Sequence, residues 1–278
     1  MNKVIACVDG ASYTEAVTDY AVWAAMRLNV TLEFLHVLVK TPDVRLDASG
    51  SIGLGAQESL LTELAGLDER RNTLAREHSR HLMEGVRRRA VSSGAGDVSV
   101  QHRQGEFVDT LVELEENTRL YILGQHNQEA KPKRFLLDHN LEGAIRALQR
   151  PILVASAAFK SPGNFMIAFD GSATARKMVE MVADSPILRG LTCTVVMVGA
   201  ASDALEWAES RLAQTGFQVR AERLEKEPAE ALLEFADREP ADMLVMGAYG
   251  HSRIRHLVVG STTTTILRRA NIPVFILR

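Results

Sequence analysis

The chain repeats itself, and the repeat limits what it can fold into more than any other feature. Val4-Ile5-Ala6-Cys7-Val8-Asp9-Gly10 returns 161 residues later as Phe165-Met166-Ile167-Ala168-Phe169-Asp170-Gly171, an apolar run closed by Asp-Gly each time. Such runs read as buried strands ending in turns. The same offset carries Val30 to Val37 onto Leu191 to Val198, so a helix and a second strand recur without an insertion. Further on, Leu120-Tyr121-Ile122-Leu123-Gly124 matches Met243-Leu244-Val245-Met246-Gly247 at offset 123, and Arg150-Pro151-Ile152-Leu153-Val154 matches Ile272-Pro273-Val274-Phe275-Ile276 at offset 122. The falling offset gives the first half 38 extra residues between its second and fourth strands.

A repeat of this size predicts two like domains, and 278 residues is the length of two domains of about 100–150 residues each. The expected boundaries are 1–157 and 163–278, joined by a short linker from Ala157 to Asn164 that Ser161-Pro162-Gly163 punctuates. Strands alternate with helical stretches such as Thr14 to Arg27, Ala204 to Gln214 and Ala229 to Asp237. That pattern predicts an α/β fold, two tandem open parallel sheets with helices on both faces. Most of the extra length lies between Lys40 and Arg70. There the Gly/Ser-rich Ser49 to Gly55 predicts a flexible flap, and an amphipathic run from near Glu58 predicts a lengthened helix. Each half ends in an apolar strand, Ile152 to Ser156 and Val274 to Arg278, whose edge needs cover. The halves are therefore expected to pack as a pseudo-two-fold pair.

Charge narrows the list of partners. The net charge is −3, from 32 basic and 35 acidic residues, which supplies no electrostatic reason to expect nucleic acid or an anionic membrane. No apolar run reaches the roughly 18–20 residues that span a bilayer, and Met1 to Gly10 enters a strand-like segment without a secretory pattern. The expectation is a cytoplasmic protein whose partner is a small ligand or another protein. Cys7 and Cys193 each sit in an apolar strand-like run, which favours two reduced core thiols over a disulfide. No Cys/His spacing resembles a zinc site, so no metal ligands are assigned.

The chemistry-bearing motif is late in the second half. After the apolar strand Met243 to Met246, the chain places Gly247, Gly250 and Gly260 with Ser261 in the spacing G-x2-G-x9-G-S, and Thr263 to Arg269 has helical character. Glycines let backbone amides approach an anion, and a helix N-terminus offers unpaired N–H groups and partial positive charge. Ser261 and Thr262 add hydroxyl donors. Ligands of open parallel sheets bind beyond the carboxyl ends of the strands, where this loop should lie. Two plainer readings stand beside this one: the glycines close turns and Ser261 caps a helix, and Asp170 is an Asx-turn residue. His251, Arg253, Arg255 and His256 could add charge to a phosphate site or form a solvated loop face.

The spacing Gly247-x2-Gly250-x9-Gly260-Ser261, with Ile272-Pro273-Val274 after it and Asp170-Gly171-Ser172 in the first turn, resembles the ATP-binding type of the universal stress protein family. Both halves resemble that family over nearly their whole length. The resemblance implies an adenine-nucleotide alpha-hydrolase-like fold and a stress-response regulator that binds ATP with Mg²⁺. It implies that Asp170 meets the adenine and ribose side, that Val198 presents backbone to the base, and that Gly247, Gly250, Gly260, Ser261 and Thr262 hold the phosphates. The first half departs from the pattern. Gly124 is followed by Asn127 and Asp138 where the second half has glycines, and the loop is one residue longer. A carboxylate at Asp138 would repel a phosphate, so ATP is expected in the second half alone.

Three functional classes remain open. A regulatory nucleotide-binding protein leads, with a homodimer or another regulatory protein as further partner. An enzyme of the ATP pyrophosphatase or nucleotidyl transferase kind would resemble a family with its phosphate loop directly after the first strand, where this chain has Asp170-Gly171-Ser172-Ala173-Thr174. No catalytic set can be placed from the residues, so none is assigned and at most slow ATP hydrolysis is expected. A structural interaction module is the third class.

Overall fold

The computed structural model describes residues 3–38, 54–125, 139–199, 203–248 and 260–278. The first half runs β1 (Lys3–Cys7), α1 (Thr14–Leu28), β2 (Leu32–Leu38), α2 (Leu54–Ser92), β3 (Val98–Gln104), α3 (Phe107–Leu114), β4 (Thr118–Gly124), α4 (His139–Ala147) and β5 (Ile152–Ala155). The second runs β6 (Asn164–Phe169), α5 (Ala173–Ala183), β7 (Thr192–Val198), α6 (Asp203–Ala213), β8 (Val219–Leu224), α7 (Pro228–Arg238), β9 (Leu244–Gly247), α8 (Ser261–Arg269) and β10 (Val274–Leu277).

Side chains alternate across a strand, so an apolar run in a central strand must feed two cores. Val4 and Ala6 of β1 enter one core with Tyr20 and Trp23 of α1, while Ile5 between them enters the other with Tyr121, Leu141 and Ile145. The second half does the same with Phe165 and Ile167 on one face and Met166 on the other. All ten strands join one sheet in the order β3-β2-β1-β4-β5-β10-β9-β6-β7-β8. Every pairing is parallel except β10 with β5, which is antiparallel with Val274 opposite Val154 and Phe275 opposite Leu153. An antiparallel join of two equivalent strands is what a two-fold relation between the halves requires. It also removes the edges that β5 and β10 would otherwise expose.

The linker is strapped down at the amino ends of the second half's strands. Asp242 accepts hydrogen bonds from the backbone N–H of Gly163 (2.8 Å) and of Asn164 (3.2 Å) and pairs with Lys160. Burial alone would raise its carboxyl. The Lys160 ammonium and these amides outweigh burial and hold it below the usual carboxylate range.

Two expectations need correction. α2 begins at Leu54 rather than near Glu58, so the helix takes in Leu54 and Gly55 at the end of the expected flap. One glycine costs a helix only about 1 kcal/mol, which the surrounding leucine, alanine and glutamate residues absorb. The remainder of the expected flap lies outside the described residues. Both cysteines are free, but only Cys193 is buried in a core; Cys7 is half-buried at the carboxyl end of β1.

Candidate functional site

The strand order reverses between β1 and β4 in the first half and between β6 and β9 in the second. The crossover after β6 packs α5 on one face of the sheet and the crossover after β9 packs α8 on the other, so a crevice opens at the carboxyl end of this pair. In the second half it is a cavity of about 370 Å³. Ala168, Phe169, Val196, Val198 and Met246 at the strand ends form its floor, with Met178 of α5 and Leu232 of α7 as apolar walls. Asp170, Gly247, Gly260, Ser261 and Thr262 line it as well. Six of the seven residues singled out in the sequence thus meet in one cavity. The seventh, Gly250, lies outside the described residues with His251, Arg253, Arg255 and His256.

Local chemistry explains each placement. Asp170 accepts a hydrogen bond from the Ser172 N–H (3.0 Å), closing an Asx turn, and Ser172 Oγ accepts one from the Ala175 N–H (3.1 Å), capping α5. The turn reading of Asp170 therefore holds, and the same turn sets the residue in the cavity wall. Gly171 has φ +74°, and a Cβ there would lie 3.3 Å from Ala204 Cβ. Only glycine fits this turn without strain. At α8 the cap is Gly260, with no side-chain hydrogen bond to the first turn. Ser261 is the first helical residue rather than the cap, so the capping alternative fails. The first turn holds no acid, and Arg268 and Arg269 sit in the last turn. This charge arrangement leaves the helix N-terminus electropositive toward the cavity.

The first half has a smaller counterpart of about 240 Å³, lined by Val8, Asp9, Tyr13, His36, Val37, Gly124 and Asn140 among others. Asp9 forms the same Asx turn, accepting from the Ala11 N–H at 2.9 Å. The two halves differ at the phosphate end. A Cβ on Gly124 would meet Tyr13 Cβ at 2.9 Å, so the Tyr13 side chain fills space against that glycine. The loop carrying Asn127 and Asp138 lies outside the described residues.

Sequence reading missed a polar relay at this cavity. His36 and His102 are register partners on β2 and β3, and Ser79 of α2 bridges them, with its Oγ 2.6 Å from His36 Nδ1 and 2.7 Å from His102 Nδ1. One hydroxyl proton serves two ring nitrogens, so one imidazole must donate where the other accepts. Burial lowers the His36 pKa, and the neighbouring His102 and His78 lower it further against the opposing pull of Asp9. The only signal in the sequence was a histidine at the end of an apolar strand. The serine comes from an insertion whose packing no repeat predicts.

A hollow of about 740 Å³ beside Asn29, Thr31 and Arg119 is larger, but it lies at the amino ends of the first-half strands, away from the crevice. Among the described residues no group of three or more His, Cys, Asp and Glu could hold a metal ion. Among them, too, no helix is long and apolar enough to cross a membrane.

These features match known proteins. The sequence profile of the universal stress protein family matches residues 197–278, from the end of β7 through the whole of the second cavity's glycine segment. A universal stress protein of Synechocystis sp. is 33% identical over 291 residues, covering 100% of both chains. The solved structure of a universal stress protein from Archaeoglobus fulgidus superposes with a TM-score of 0.74 at 18% identity, covering 100% of this chain and 98% of the other, a likeness of fold. With a relative that similar along its whole length, the chain belongs to the universal stress protein family.

Proposed function

We propose that the chain is a cytoplasmic stress-response regulator that binds one ATP, with Mg²⁺, in the cavity of its second half and turns it over slowly or not at all. The carrying observation is the convergence of Asp170, Val198, Gly247, Gly260, Ser261 and Thr262 on one 370 Å³ cavity at the strand-order reversal. The apolar floor suits a flat base, Asp170 offers acceptors to amine or hydroxyl donors, and the α8 N-terminus with its two hydroxyls suits phosphate. Gly250 completes the phosphate segment in this reading. Mg²⁺ enters with the nucleotide. The functional division falls at the domain boundaries 1–157 and 163–278, and the first half, with Tyr13 against Gly124 and Asp138 where the second half has a glycine, takes no ATP.

A calorimetric titration tests this. One site per chain is expected. Micromolar affinity corresponds to about 8 kcal/mol, and charge-assisted hydrogen bonds contribute about 1.5–3 kcal/mol each. Gly260→Asp, which sets a carboxylate among the phosphate donors, should therefore take binding below detection. Two equivalent ATP sites, or undiminished binding by Gly260→Asp, would overturn the assignment. Turnover above about 1 per second would place the chain among ordinary enzymes instead.

A further inference from the structure

α2 is far longer than the layer it covers. Its 39 residues extend about 58 Å, whereas a seven-residue strand such as β2 extends about 23 Å. From Ser79 onward the helix buries Ser79, Met83, Val86 and Ala90, the spacing of one helical face packed on α1, β2 and β3. Between residues 62 and 78 no described side chain is buried. Leu67 is 54% exposed and Leu74 66% exposed, the largest exposures of any leucine among the described residues.

These leucines are not scattered. Leu64, Leu67 and Leu74 fall at successive a and d positions of a heptad, with Arg71 at the intervening a position. In the same register Glu63 and Arg70 occupy g positions beside the stripe, and both are exposed. We propose that this overhang is a self-association surface, on which a second copy of the chain lays its own α2 antiparallel.

Charge selects that partner and that direction. A two-fold axis passing between positions 65 and 66 sets Leu64 opposite Leu67 of the second copy. It also sets Glu63 beside Arg70 of the second copy, and the symmetry makes both contacts twice. In a parallel pair Glu63 and Arg70 of the two copies stay one heptad, about 10 Å, apart along the axis and their charges do not meet. Arg71 at a core position limits the apolar stripe, since its guanidinium must reach past the seam to water. The contact is therefore short, below the roughly 1,200 Å² of stable complexes, and the dimer is reversible. This surface lies on the inserted helix and is independent of the nucleotide proposal.

Sedimentation velocity on the full chain, from low micromolar to several hundred micromolar, tests it. A reversible monomer–dimer equilibrium is expected in that range. Leu67→Asp should weaken it at least tenfold while circular dichroism and the melting curve stay unchanged, because the side chain is exposed. Glu63→Arg should weaken it similarly, and Glu63→Arg combined with Arg70→Glu should restore it. A monomer at every concentration would overturn the proposal, whether another protein or another part of the chain covers the stripe. So would a dimer indifferent to Leu67→Asp. Failure of the double charge swap to restore association would overturn the antiparallel register.

Discussion

Asp9 and Asp170 each close a turn that also lines a cavity. Each accepts a backbone N–H two residues on, so each is held by its turn whether or not a ligand is present. The turn at Asp170 and its place in the cavity lining are thus compatible in one geometry. What separates the halves at this scale is the neighbour: His36 stands where the second half has Met197. An unperturbed imidazole titrates near 6.5, and burial with two histidine neighbours moves His36 below that. Its unfolded form then binds more protons than its folded form as pH falls through about 6.5, so stability is lost on acidification through that window and is fully present above it. An NMR titration of the His36 ring should give a midpoint below the ordinary value. A midpoint at or above it would show that the Ser79 relay stabilises the charged ring.

Elements account for how residues distant in the chain are presented. α8 points its uncapped first turn at the cavity because β9 delivers the chain there and β10 carries it back. Aspartate is among the best N-cap residues, so Gly260→Asp should leave α8 as stable as before, or a few tenths of a kcal/mol more so. The loss of ATP binding proposed for this variant would then be a change at the site and not an unfolding. The strap at Asp242 belongs to this scale as well. Asp242→Asn removes the charge that holds Lys160 and two amides, and should cost about 2 kcal/mol at neutral pH, the order of one or two charge-assisted hydrogen bonds. The folded carboxyl titrates below its unfolded value, so its contribution is present above about pH 4 and is lost as pH falls through the lower folded value. Denaturant melts of both proteins should converge in acid. An equal gap at neutral and strongly acidic pH would assign the strap to packing alone.

At the scale of the whole molecule, the halves are one sheet. β5 and β10 hydrogen-bond across the join, and each half also reaches into the other. Gln125, directly after the first-half cavity glycine, donates to the Leu267 carbonyl of α8, while Arg278 donates to the Leu148 carbonyl just beyond α4. Arg27 of α1 donates to the Ile187 carbonyl at 2.7 Å. Separately produced halves should therefore bind one another, since each alone exposes a full apolar edge strand. Stable, soluble, monomeric halves without mutual affinity would contradict a shared sheet.

Much of this was legible before any coordinates. The repeat with its three offsets located most strands and the inserted helix, because a buried strand must be apolar on both faces and a turn must carry its own chemistry. The glycine spacing picked out Gly247, Gly260 and Ser261, which line one cavity, because they end one strand and begin the next helix. Other features depended on pairs of residues that no local pattern links. Ser79 meets His36 and His102 only because the inserted helix crosses β2 and β3. Tyr13 crowds Gly124 only because α1 packs against β4. Exposed edges implied that the last strands of the two halves pair, but the antiparallel sense of the β5–β10 join came only with the register of Val154 on Val274. Side-chain partners are set by packing across the chain, and the sequence records each member of such a pair without recording that they touch.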